Sequence, residues 1–345
     1  MNVRFREQTV DRSIYGFLMR DLVTLPKAHL HLHLEGGMRP STLNELAATY
    51  GLQVPEIRGF GSFPVFAQMY AAACSVVRTP DDLMRLVDET VEDAKLAGAA
   101  WVEPSIFAPR HNEHIGPDEE VVEIVLDALS ESAARHGIGA ALIVAADRTR
   151  PPSHALAQAE LAVRYADQGV VAFGLANDEG LFPPEPFAEP YDLIRRTGLL
   201  STPHAGELAG PESVRGALDA LGADRVQHGV RAVEDPELVG RLADEGVCCD
   251  VCPSSNLALA VYPSLAEHPL SALLDAGVPC SINADDPLLF GPHLLEEYQL
   301  CRDQFGFDDE RMAHVARCSI DHSGAPTDLK KRAEAGIDAW LASPG

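Results

Sequence analysis

Positive charge is scarce in this chain of 345 residues: 27 lysines and arginines stand against 52 aspartates and glutamates, a formal net charge of −25. Such a field repels polyanions, which excludes nucleic acid and acidic membrane surfaces as partners; solubility is reason enough for it. No apolar run approaches the roughly 18 residues that cross a bilayer. Residues 1–22, "MNVRFREQTVDRSIYGFLMRDL", carry charge throughout and have no apolar core or small-residue cleavage pattern, so a signal peptide is not expected. Cysteine occurs at only seven scattered positions, an odd number without a framework. That usage fits a reduced compartment and a cytoplasmic protein. Internal repeats, low-complexity tracts and long linkers are all missing, so a single domain over 1–345 is expected. No glycine loop, "FGLANDEGLF" included, matches a phosphate-cradling fingerprint.

What is present is an alternation of short β-rich segments with amphipathic stretches. The strand candidates are 28–34, 99–107, 139–147, 170–178, 199–207, 225–229, 247–255 and 278–286. Between them lie helical patterns at 118–137, 154–169, 210–222 and 235–246, each ending at or near a glycine. Strands that alternate with helices make parallel sheets, and eight such units in this length predict a closed (β/α)8 TIM barrel. Two regions exceed that plan. Residues 38–96, with "FPVFAQMYAAACSVV" at 63–77, predict extra helices, a candidate lid over the barrel mouth; residues 292–345 predict helices packed outside the barrel.

The segment "LPKAHLHLHLEGG" (25–37) places His29, His31 and His33 at alternate positions, with leucines between them. On a strand the histidines share one face, and continued alternation adds Glu35 to it. Catalytic groups of such barrels sit at the carboxyl ends of strands. Those ends supply His31 and His33, then His204 and Glu207 from "HAGE", His228 from "QHG", and Asp285 and Asp286 from "NADDP". Three histidines and a carboxylate make a zinc set with a position left for water, and a further histidine and glutamate remain for proton handling. Each residue also has a plainer reading: a hydrogen-bonded structural histidine, a solvated loop glutamate, or an Asp-Asp turn before proline. Their common placement at one end of successive strands favours the site. His29, deepest in the strand, reads as a core residue. His111 and His114 ("HNEH") read as structural or solvated, and His136, His154, His268, His293, His314 and His322 as surface or helix-end residues. "CCDVC" (248–252) holds a C-x-x-C, but with no second copy and no upstream H-x-E its cysteines read as small apolar strand residues and not as a zinc ribbon.

Taken together, "PKAHLHLHLEG", "GLANDE", "PHAGE", "VQHGVR", "CPSSN" and "SINADDPLLF" make the chain resemble the adenosine deaminase family of zinc amidohydrolases, in consistent order from about Leu25 to Phe290. The resemblance implies one zinc per chain, with His31, His33, His204 and Asp285 as ligands. It implies that Glu207 gives a proton to purine N1, and that His228 orients the attacking water and stabilises charge. Asp285 thereby belongs to both the metal site and the catalytic set. Asp286 is implied as the partner of purine N7, and Asn177 as the position whose main-chain N–H meets N3. Glu35, where the family usually carries aspartate, is implied to meet a ribose hydroxyl. The expected activity is hydrolysis of the 6-amino group of an aminopurine, with adenosine or 2′-deoxyadenosine as the first substrate. Free adenine, or a larger adenosine-like compound such as 6-aminodeoxyfutalosine, is the alternative. A silent nucleoside-binding member would have lost Glu207 or a ligand, and a two-metal amidohydrolase would need a lysine on the fourth strand, which "VVAFGLAND" lacks.

Overall fold

The computed structural model describes residues 19–54, 60 and 62–344. Most of the amino-terminal stretch read for a signal peptide lies outside them. The strands are β1 (Lys27–His33), β2 (Ala99–Ile106), β3 (Gly139–Ala140), β4 (Leu142–Asp147), β5 (Val170–Ala176), β6 (Leu200–Ala205), β7 (Arg225–His228), β8 (Cys248–Val251) and β9 (Cys280–Ile282). They run parallel in the order β1-β2-β4-β5-β6-β7-β8-β9, with β3 pairing only to β2. The third expected strand is thus two pieces in one register on β2. The break lies opposite Glu103 and Pro104, and a proline has no N–H to give the ladder.

The sheet closes through irregular backbone and not through a full ladder. β9 ends at Ile282, short of the expected 286, and Leu32 and Asp285 form an isolated parallel bridge. His33 N donates to Asp285 O (3.0 Å) and Asp285 N donates to His31 O (3.1 Å). Asn283 Oδ1 accepts from both Leu30 N (2.7 Å) and His31 N (3.1 Å), and His29 Nε2 accepts from Ala284 N (3.2 Å). His29 is therefore the buried core residue that its depth in the strand predicts.

The 38–96 region holds α1 (Pro40–Tyr50), α2 (Phe63–Cys74) and α3 (Pro80–Leu96). The start of α3 follows from its sequence: Pro80 opens the first turn, and Thr79 and Asp82 cap each other's backbone N–H groups. Outside the barrel, α4 (Asp118–His136), α5 (Pro152–Arg164), α6 (Ala188–Ile194), α7 (Pro211–Asp219) and α8 (Pro236–Glu245) connect successive strands. Gly137 (φ 70°) ends α4 and Gly246 (φ 67°) ends α8, as the glycine signals predict. The segment 247–255 is strand only to Val251, because Pro253 opens the short α9 (Pro253–Ala258). Then come α10 (Leu270–Asp275), α11 (Pro287–Phe290), α12 (Leu294–Phe305), α13 (Asp309–Asp321) and α14 (Thr327–Ala342). No helix among the described residues is long and apolar enough to cross a membrane. All seven cysteines are buried and unbridged.

Charge is buried inside the barrel beneath the rim. Glu103 accepts from Trp101 Nε1 (2.7 Å) and Gly324 N (2.5 Å), and Arg225 donates to it at 2.8 Å. Arg225 Nε lies 3.0 Å from Asp250 Oδ2, and Asp250 Oδ1 accepts from Ser281 Oγ (2.7 Å). Ser281 Oγ accepts in turn from Asn283 Nδ2 (2.7 Å), which links the ion group to the seam with β1. Deleting Arg225 would leave the buried carboxylates of Glu103 and Asp250 without the cation they share. Arg225→Met should therefore lose about 3–5 kcal/mol of unfolding free energy, read by denaturant titration; an unchanged midpoint would show that the ion group does not brace the barrel.

Candidate active site

Four side chains from three strand ends meet at the rim. His31 Nε2 and His33 Nε2 lie 3.2 and 3.3 Å from His204 Nε2, and each lies 3.3 Å from Asp285 Oδ1. A zinc ion with bonds of about 2.0–2.1 Å sets tetrahedral ligands about 3.3 Å apart, so this donor set has the spacing a zinc ion needs. Every outer atom is also held. His31 Nδ1 faces Asp250 O (3.1 Å), His204 Nδ1 faces Leu175 O (3.1 Å) and His33 Nδ1 faces Ser105 Oγ (3.2 Å). Asp285 Oδ2 accepts from Ser255 Oγ at 2.7 Å. Carbonyls on the Nδ1 side of His31 and His204 leave the Nε2 lone pairs pointing inward, the orientation a metal requires. Cys252 Sγ lies 3.4 Å from His31 Nδ1, on the far side of the ring from the centre, and burial pushes its thiol well above its usual pKa. It is a poor ligand.

A cavity of about 860 Å³, its open mouth included, lies over this cluster. Its walls include His33, His204, Glu207, His228, Asp285, Asp286 and Asn177, while His31, in the cluster beneath, and Glu35 do not line it. Phe63, Phe66, Ala67 and Tyr70 of α2 form one side of it. Phe66 stacks on Phe290 (5.2 Å, 13°). His228 Nε2 is 3.5 Å from Glu207 Oε1 and 3.8 Å from Asp285 Oδ2.

Electrostatics separates the acids. Burial, with the Asp285 and Glu179 charges adding to it, pushes Glu207 well above the usual carboxylate range. Burial and Asp285 push Asp286 up likewise. Burial works the same way on Asp285, but the adjacent His31 and the hydrogen bonds from His31 and His33 hold it well below. Glu207 Oε1 and both carboxyl oxygens of Asp286 are buried without a protein partner, a state rare in folded chains outside binding sites.

Several residues that hold the site escape sequence reasoning. Glu179 accepts from the consecutive N–H groups of Gly206, Glu207 (3.0 Å), Leu208 (2.8 Å) and Ala209 (3.2 Å), and so anchors the loop that carries Glu207. The buried Arg148 donates to the carbonyl oxygens of His204 and Phe182. His111, read above as structural or solvated, is buried and lies 2.7 Å from Glu35 Oε1. His268, read as a surface or helix-end residue, does end the 3₁₀ turn Leu265–Glu267 but is buried. Glu35 itself is 1% exposed, and its second oxygen accepts from Tyr70 Oη at 2.7 Å. Burial opposes its ionisation, yet His111, Arg110 and Tyr70 hold its pKa down at about 2. Three of the four non-glycine residues with positive φ among those described are in this site: Asn177 (86°), His228 (68°) and Asp285 (61°). Strained backbone gathers where geometry is imposed by function.

Comparison with known proteins agrees with the geometry: the sequence profile of the family described as adenosine deaminase matches residues 26–340. The chain belongs to the adenosine deaminase family. It is 45% identical, over 93% of its length and 98% of the relative's, to a Streptomyces virginiae protein provisionally named adenosine/adenine deaminase. It is 36% identical to an adenine deaminase of Rhizobium leguminosarum bv. trifolii, over 89% of this chain and 97% of that one. Among solved structures, an amidohydrolase from Burkholderia ambifaria with bound zinc superposes with a TM-score of 0.84 at 28% identity, over 93% of this chain and 94% of that one. Membership in the family and this donor set make the chain a metal-dependent purine deaminase with a TIM-barrel amidohydrolase fold.

Gly36 gives the site a sharp test. A Cβ there would lie 1.8 Å from Asp286 Oδ1, whereas one at Gly37 would meet nothing closer than Thr90 Oγ1 at 3.1 Å. Gly36→Ala should displace Asp286 and lower kcat/KM at least tenfold with bound metal unchanged, while Gly37→Ala stays within about threefold. Equal effects from the two would sever the link between the turn and Asp286.

Proposed function

We propose that this protein hydrolyses the 6-amino group of free adenine, giving hypoxanthine and ammonia, and that it does so in preference to adenosine. The observation that carries this reading is the state of Glu35. The carboxylate that a nucleoside enzyme would turn to the sugar is outside the cavity lining, with one oxygen on His111 and the other on Tyr70. A ribose hydroxyl would therefore have to compete with His111 and Tyr70 for it. The Rhizobium leguminosarum relative named adenine deaminase supports the same reading.

In this scheme His31, His33, His204 and Asp285 would hold one zinc ion, which when bound would lower the pKa of a water toward about 7. The protein's own groups do the rest. Glu207, kept protonated by burial, gives its proton to N1 as water adds at C6. His228 faces the same point and hydrogen-bonds the oxygen that gains charge. Asp286 meets N7, and Asn177, whose side chain is tied to Asp147 (3.0 Å), leaves its main-chain N–H for N3. The C6–N bond then breaks. One proton of the added water passes to the departing amino group, which leaves as ammonia, and the other returns to Glu207 as the C6 oxygen becomes the carbonyl. Apolar side chains from α2, with Phe107 and Leu259, cover the ring.

Two measurements test this. Ultraviolet assays on adenine and adenosine should give a kcat/KM at least about a hundredfold higher for adenine, the size of a specificity step set by a missing polar partner; a preference for adenosine overturns the reading. Elemental analysis should find one zinc per chain, retained in Glu207→Gln, while turnover falls by about 10²–10⁴-fold. If zinc is lost in proportion to turnover, Glu207 is a ligand and the proton role fails.

A further inference from the structure

His228 is the last member of a buried hydrogen-bond chain that starts from a backbone amide. The N–H of Leu270, in the first turn of α10, donates to His268 Nδ1 at 3.2 Å. A main-chain amide nitrogen can only donate, so His268 Nδ1 must be the acceptor and, in the neutral ring, Nε2 carries the hydrogen. Burial pushes the His268 pKa down to about 4, which keeps that ring neutral near pH 7. His268 Nε2 meets Asn256 Oδ1 at 3.1 Å. With its oxygen so committed, Asn256 turns its amide nitrogen toward His228 Nδ1, 3.2 Å away. His228 Nδ1 must then accept, and its single hydrogen is on Nε2, facing Glu207 and Asp285.

We propose that Asn256 and His268 are positioning residues that lock His228 in its Nε2–H tautomer, so that it meets the reacting oxygen as a hydrogen-bond donor and not as a base. The chain leaves little freedom to invert. Asn256 is fully buried, with Asn256 N on Cys252 O (3.0 Å) and Asn256 O accepting from Val261 N (2.9 Å). The His268 ring lies between Tyr262 (5.4 Å) and Phe305 (5.6 Å). A donor fixed before substrate arrives needs no reorganisation as charge builds on the oxygen. The inverse tautomer would aim a lone pair at an oxygen that is becoming negative. The inference rests on the proposed role of His228 in deamination, but the tautomer can be read without substrate.

The test uses protein labelled with ¹⁵N-histidine, together with steady-state kinetics on whichever aminopurine the enzyme turns over. Wild-type His228 should show an unprotonated Nδ1 and a protonated Nε2. Asn256→Asp offers His228 only acceptor oxygens and should move the hydrogen to Nδ1. Its kcat should fall at least tenfold with KM within about threefold. His268→Gln keeps an N–H donor toward Asn256 and should hold both the tautomer and kcat within about threefold of wild type. Should Asn256→Asp not fold, His268→Glu produces the same inversion by turning the Asn256 amide. A hydrogen on Nδ1 in the wild type overturns the proposal. So does an inverted tautomer with unchanged kcat, or a His268→Gln enzyme as impaired as the inverted one. A wild type inert on adenine but active on adenosine would count against the substrate reading alone.

Discussion

The rest of the molecule depends on how the barrel closes. Where β1 meets the end of β9, closure reduces to two reciprocal backbone hydrogen bonds between Asp285 and the residues His31 and His33. Those residues carry three of the four donors. Closing the barrel and bringing these donors together are therefore one event. That constraint accounts for the left-handed backbone of Asp285: at φ 61° its main chain serves β1 while its side chain turns to the imidazoles. A residue free to relax into extended backbone would satisfy the ladder and move its carboxylate away.

A seam of so few bonds needs support from below, and the buried polar column supplies it. From Glu103 through Arg225, Asp250, Ser281 and Asn283, each group is held by the next, and the last accepts the β1 amides beside His31. The carbonyl of Asp250 also faces His31 Nδ1. The same residue thus joins the ion group to a donor of the metal set through its backbone. Buried ion groups rarely gain stability over apolar packing, but they do fix one arrangement, and here that arrangement reaches the reacting centre.

Legibility in the sequence followed the range of the interactions. The alternating histidines, "HAGE", "QHG" and "NADDP" were readable because period-2 alternation and strand ends are local features, and topology then brings them together. What escaped was long-range: His111 reaches Glu35 from 76 residues away, and Glu179 caps amides 27–30 residues later. His268 is only 12 residues from Asn256, yet nothing in "EHPL" signals burial. Glu35 leaves the alternation for a different reason. Alternation puts it on the face of His31 and His33 only if the strand continues, but β1 ends at His33 and residues Glu35–Gly37 form a 3₁₀ turn. One tight turn breaks the period and carries the carboxylate behind the wall.

That displacement changes what Glu35 does. Through Tyr70 it holds α2, and through His111 it holds the segment after β2, so this helix and the barrel share one buried carboxylate. Arg110 reinforces the joint by lying over the Tyr70 ring at 5.1 Å. The width of the cavity beneath α2 is then set by a polar clasp and not only by loose apolar contact. Under the proposed preference for free adenine, a helix tied down at its inner face would close on a flat heterocycle without having to make room for a sugar beyond it. Selectivity on the N9 side would accordingly come from the reach of the clasp, not from a hydrogen bond to the ligand. The turn Glu35–Gly37 couples the two ends of the cavity: Glu35 holds α2, and the missing Cβ of Gly36 is what lets Asp286 sit where it does.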